Sequence, residues 1–184
     1  MKAMSKVMCC VMLSGMCMLM PPNAKAATDD DKKFLAAAAQ SDQNEIKLSE
    51  LAEQKATNPA VKAFAQKMVA EHTKMSESMK PFAESWGVTP PAGLDDDHQK
   101  EYDKLSGLSD ADFDKEYMNQ MVKDHTKALD AFTSEAKHTE DMKFRAVVIN
   151  GKTMVAAHKK HGLRPREKAL AVCIANIEKT GLRC

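Results

Sequence analysis

Cysteine, glycine and proline are scarce in this chain of 184 residues: five, seven and seven of them. Cys9, Cys10 and Cys17 fall near the N-terminus, which leaves only Cys173 and Cys184 in the rest of the chain. Two cysteines are too few for a disulfide scaffold or a thiolate metal cage. In an oxidising compartment they could pair and close a small C-terminal loop. There is no nucleophile elbow, no glycine-rich phosphate loop and no HExxH string, so the usual sequence marks of an enzyme are missing. β-branched runs are also few, which argues against strands. Neither sign of charge dominates: 27 Lys and Arg stand against 26 Asp and Glu. Nothing in that balance suggests nucleic acid or an anionic membrane surface as a partner.

One apolar run exists, Val7 to Met20, broken only by Ser14 and Gly15. It is too short to span a bilayer. Lys2 and Lys6 precede it, Pro21 and Pro22 end it, and Ala24-Lys25-Ala26 follows as a cleavage signal. Residues 1–26 therefore read as a secretory signal peptide, and the expected location is periplasmic or secreted, with no stable membrane insertion after cleavage. A lipoprotein is the rival reading, although Ser14-Gly15-Met16 lacks a small residue next to Cys17. Cleavage would remove seven of the 14 methionines and Lys2, Lys6 and Lys25, leaving 24 positive and 26 negative side chains, a net charge of −2.

Beyond residue 26 the composition favours helix: Ala, Lys, Glu, Gln, Leu and Met abound. Breakers cluster in a few places. Asp29 to Asp31 cap a first long helix running to about Ala56. Asn58 and Pro59 restart the chain as a second, to about Trp86. The stretch Gly87 to Gly93 cannot be helix, and a short helical piece from about Asp96 to Leu105 follows. Ser109-Asp110-Ala111-Asp112 caps a third long helix to about Lys137. A fourth runs from about Glu140 to His161, with Gly162 as its expected stop. The expected fold is all-α: a four-helix bundle over residues 27–162, with a long connection between the second and third helices, as in ferritin-like folds. In the tail, 163–184, Arg164-Pro165-Arg166 is expected to break the helix, and Ala169 to Ile174 is apolar enough for a short docked one.

A string recurs. Met68-Val69-Ala70-Glu71-His72-Thr73-Lys74, Met121-Val122-Lys123-Asp124-His125-Thr126-Lys127 and Met154-Val155-Ala156-Ala157-His158-Lys159-Lys160 share MVxxHxK, once on each of the last three long helices. Duplicated hairpins would explain the repetition, and so would a shared site. On helical wheels each histidine falls within its apolar stripe. These stripes include Phe64, Ala65, Met68 and Met75 around His72, Tyr117, Met121 and Phe132 around His125, and Val148, Gly151 and Val155 beside His158. The first helix has no histidine. The middle of its stripe of Phe34, Ala38, Leu48 and Ala52 is held by Glu45.

Each long helix thus aims one titratable side chain at the bundle axis, at heights that can coincide. A buried carboxylate with three imidazoles is costly unless paired, hydrogen-bonded or metal-bound. His72, His125, His158 and Glu45 form a reasonable ligand set for one divalent transition metal ion: zinc, copper or iron. A hydrogen-bonded polar layer without metal would look the same in sequence, and both readings stay open. Met68, Met121 and Met154 lie one turn before the histidines, where they suit copper or simply fill the core. Glu71 and Asp124 point about 100° away from the stripes, toward solvent or interhelix pairs. His138 and His161 read as surface residues near helix ends, and His98 lies in the connection.

Several stretches carry a family resemblance: Phe34 to Gln40, Asn44-Glu45-Ile46 through Leu51-Ala52, Asn58 to Ala65, Met68 to His72, Phe113 to Tyr117, and His158. On these the chain resembles domain of unknown function 4142, an exported bacterial helical family placed among ferritin-like folds. The resemblance covers roughly residues 30 to 161 and implies fold and export but no activity. Di-iron bundles use Glu-x-x-His pairs. Here Val69, Val122 and Val155 stand three before the histidines, so one ion at most is expected and no dinuclear oxygen chemistry. The expected function is an exported bundle binding a metal ion in its core. The alternative is a structural or protein-interaction module of the cell envelope, without metal.

Overall fold

The computed structural model describes residues 27–180, with side chains from 27 to 163. The expected signal peptide and the possible pairing of Cys173 with Cys184 lie outside that description. Five helices and no strand occur among the described residues: α1 Asp29–Lys55, α2 Pro59–Trp86, α3 Asp96–Ser106, α4 Asp110–His138 and α5 Met142–Thr180. Their starts follow local chemistry. Thr28 and Asp31 form a reciprocal capping box at α1. The Asn58 side chain accepts from the Ala60 N–H, with Pro59 in the first turn of α2. Asp95 caps α3 by accepting from the His98 N–H. Gly87, at φ 69°, ends α2 in the left-handed conformation that suits glycine.

Four long helices pack side by side: α1 against α2 and α4, and α5 against α4 and α2, while α3 lies over α1 and α4. Two apolar clusters fill the interior. One joins Leu48, Leu51, Ala52, Phe64, Met68, Phe113, Tyr117 and Met121; the other joins Leu35, Ala38, Met75, Met79, Phe132, Phe144 and Val148. The order in which each helix passes between the clusters shows that α2 and α4 run alike, opposed to α1 and α5. Residues 87–109 return the chain along the length of the helices to make that possible. Between the clusters sits a buried polar layer: Asp42, Glu45, His72, Asp124, His125 and His158.

The stop expected at Gly162 is not observed. The helix continues through Gly162 and Pro165 to Thr180. A Cβ at Gly162 would lie 2.6 Å from Val122 Cγ2. This glycine therefore serves a close approach of α5 to α4 rather than a left-handed cap. Pro165 removes one backbone hydrogen bond from the helix without ending it. His161, expected at the surface, is half-buried and stacks on Phe64 with ring centroids 4.8 Å apart. No helix among the described residues is long and apolar enough to cross a membrane.

Candidate metal centre

Helical periodicity delivers three imidazoles to one point. His72 comes from α2, His125 from α4 and His158 from α5, each 1–2 % exposed. His125 Nε2 lies 3.4 Å from His72 Nε2 and 3.3 Å from His158 Nδ1. One nitrogen from each ring lies within 4.8 Å of the others. Two nitrogens each about 2.0–2.1 Å from one tetrahedral ion would stand about 3.3–3.4 Å apart. The two spacings through His125 match that value.

The outward nitrogen of each ring has its own partner. His125 Nδ1 is 2.7 Å from the Met121 carbonyl oxygen, one turn back on α4. His158 Nε2 is 2.5 Å from Glu71 Oε2 on α2. His72 Nδ1 is 2.8 Å from Asp42 Oδ1 on α1, and Ser76 Oγ donates to the other Asp42 oxygen at 3.2 Å. Burial pushes His72 down to about 4, His125 to about 3 and His158 to about 4. All three rings are therefore neutral at pH 7, each with one proton and one lone pair.

The partners decide where the protons sit. A carbonyl only accepts, so His125 donates from Nδ1 and keeps its lone pair on Nε2. The Glu71 carboxylate likewise accepts a hydrogen bond from His158 Nε2–H, which leaves the lone pair on Nδ1. His72 shares its proton with Asp42, whose carboxyl burial pushes up to about 8. With that proton on His72 Nδ1, three lone pairs converge. With one further proton bound, Asp42 is a neutral acid that donates to His72 Nδ1, and His72 carries its own proton on Nε2, facing His125. A cation at the convergence point would favour the first arrangement, because it needs the lone pair and its charge stabilises the Asp42 carboxylate.

Glu45 is 2 % exposed and lies behind His125. Its Oε1 is 3.7 Å from Nδ1, the ring nitrogen turned away from the other histidines. Its Oε2 is buried without a hydrogen-bond partner. Burial first, then the neighbouring charges of Asp124 and Asp42, raise the Glu45 carboxyl well above its ordinary range. The structure thus brings the three histidines together and sets Glu45 beside them rather than among the converging nitrogens. Met68 and Met121 are packed in one apolar cluster, and Met154 lies against the other.

Sequence reasoning missed Asp42, the residue that orients His72. It stands three before Glu45 on the same face of α1, so a second inward acid was there to be read. Glu71 and Asp124 prove to be interhelix partners. Asp124, on α4, lies 3.6 Å from His98 Nε2 and accepts from Gln120 at 2.7 Å. His98 in turn holds Asp95 through Nδ1 at 2.8 Å, and Asn44 of α1 donates to Asp95 at 2.8 Å. This second polar network fastens α3 over α1 and α4.

The fold has solved counterparts. A DUF305 fragment from Deinococcus radiodurans matches with TM-score 0.63 and 15 % identity, over 80 % of this chain and 99 % of that one. CopM in its Cu(I)-bound form matches with TM-score 0.65 and 22 % identity, over 77 % and 98 %. Its Cu(II)-bound form gives 0.65 and 23 %, over 75 % and 96 %. At such identities these likenesses establish the fold alone. No curated protein matches the sequence. The sequence pattern of DUF4142, a domain of unknown function, matches residues 18–163, and the chain belongs to that family.

Proposed function

We propose that this protein is an exported helical metal-binding protein that holds one transition metal ion on His72 Nε2, His125 Nε2 and His158 Nδ1. The observation that carries the reading is the convergence of three neutral imidazoles at metal-ligand spacing, each with its outward nitrogen already partnered. In this reading Asp42 and Glu71 fix the rings from behind. Glu45, the fourth residue of the expected set, lies on the Nδ1 side of His125, where a bound cation would draw its raised carboxyl back toward the ionised form. The ion is divalent zinc, copper or iron, or copper in its monovalent state. The copper- and silver-bound forms of CopM support copper as the first metal to try. The fold is read as a ferritin-like four-helix bundle with α3 in its long connection, and the location as periplasmic or secreted.

The test is direct. Untagged protein from residue 27 onward is loaded separately with Cu(I), Cu(II), Zn(II) and Fe(II), dialysed and analysed by mass spectrometry. About one ion per chain is expected, lost in His72→Ala, His125→Ala and His158→Ala. Absence of metal from the wild type would overturn the reading. One observation favours a second reading: the raised Asp42 carboxyl allows a chain of hydrogen bonds from Asp42 through His72 to His125. A metal-free wild type whose histidine variants are only less stable would establish that structural layer instead.

A further inference from the structure

The three ligands differ in what holds them from behind. Asp42 is buried, its side chain 5 % exposed, and the Met121 carbonyl belongs to the core of α4. Glu71, which holds His158, is 40 % exposed. The exposed Lys67 lies 3.8 Å from it, one turn back on α2, a surface pair of little energetic weight. Releasing His72 would strand a buried acid, and releasing His125 would leave its Nδ1–H, deep in the core, without the carbonyl it donates to. Either costs the desolvation of an unpaired group. Releasing His158 strands no buried partner, because Glu71 can turn to water. Of the three outward contacts, the one between His158 and Glu71 is thus the one whose far partner already reaches water.

Resting on the metal-binding reading above, we propose that the Glu71–His158 contact between α2 and α5 is the latch of the buried site, and that an ion enters and leaves when Glu71 lets His158 move. Glu71 is a positioning residue: it touches the ligand and not the ion. A latch slows passage in both directions, whereas a residue that only strengthens a ligand slows release and leaves uptake alone.

Copper(I) is the probe, with bicinchoninate as the coloured competitor and zinc(II) with a chromogenic chelator run in parallel. Uptake is followed as the colour lost on adding metal-free protein, and release as the colour gained when loaded protein meets excess chelator. Glu71→Ala is expected to accelerate both by about tenfold while Kd moves far less, whereas a partner that only strengthens its ligand would on removal cost about tenfold or more in affinity. Glu71→Gln still accepts a hydrogen bond from His158 and should restore rates close to wild type. Lys67→Ala should leave both rates unchanged. Glu71→Ala also leaves the buried His158 Nε2–H without its acceptor, so the metal-free thermal midpoint should fall and Glu71→Gln should restore it. Faster release with unchanged uptake would make Glu71 a strengthener of His158 and overturn the latch, as would unchanged rates. A wild type that takes up neither ion overturns the metal reading itself, a result distinct from either.

Discussion

At the scale of single residues, two kinds of position are sharply constrained. Gly151 faces Phe132, and a Cβ there would lie 2.3 Å from its Cε1 and 2.9 Å from Met75 Cε. Alanine normally stabilises a helix over glycine by about 1 kcal/mol. Here overpacking against an aromatic ring should win, so Gly151→Ala is expected to lose about 1–2 kcal/mol in urea denaturation. A gain in stability would show that the ring yields easily. The inward charges are the other kind. Glu45 was legible because it stands alone at the centre of an apolar stripe. Asp42 was not, because a short acid three residues away looks like the rim of the same stripe until α2 is packed against it. Glu71 escaped for a different reason. Its wheel position points off the axis, and only the crossing of α5 brings the His158 ring out to meet it.

Between elements, the joint at one end rests on a single acid. Asp114 of α4 accepts from the Thr57 N–H at 3.2 Å, the Thr57 hydroxyl at 2.9 Å and the Asn58 N–H at 2.8 Å. It thereby ties the start of α4 to the turn between α1 and α2. Asp114→Ala should cost about 2–3 kcal/mol, since it strands donors that a charged acceptor now satisfies. Asp114→Asn should cost less, and equal losses would deny the charge any part. The same scale shows why helix starts were easier to read than the end of α5. Caps such as Thr28, Asn58 and Asp95 act within one turn of chain, so they are written locally. Gly162 carries a stop signal in sequence, but Val122, forty residues away, needs the missing side chain for close packing. Tertiary contact overrode the local cue.

For the whole molecule, the buried layer sets an unusual pH dependence in the absence of metal. The three histidines have depressed folded values, so below about 6.5 the unfolded chain binds their protons first and stability falls as pH falls. Asp42 and Glu45 have raised folded values, so their contribution is present in acid and is lost as pH rises toward and past about 8. Between pH 6.5 and 8 the raised acids remain, Glu135 at about 7 among them, and the raised His98 acts in the same sense. Metal-free protein in EDTA should therefore lose stability across that interval, by up to about 1.4 kcal/mol per pH unit for each acid still protonated. Urea midpoints at pH 6.5, 7.2 and 8.0 measure it. The Asp42→Asn, Glu45→Gln double variant should flatten the slope, and stability that rises through the interval would refute the assignment.

The placement of the histidines has one more consequence. They stand 53 and 33 positions apart in the chain and belong to three different helices, so an ion seated on all three would close two long loops at once. It would bind the folded chain and hardly the unfolded one. Its presence would multiply the folded-to-unfolded ratio by about one plus the ratio of free ion to Kd. Proteolysis, which feeds on transient opening, should slow by the same factor when reclosing is fast. Wherever proteases are plentiful, the surviving amount of this protein would then follow the free concentration of its ion, so that persistence itself becomes a measure of supply.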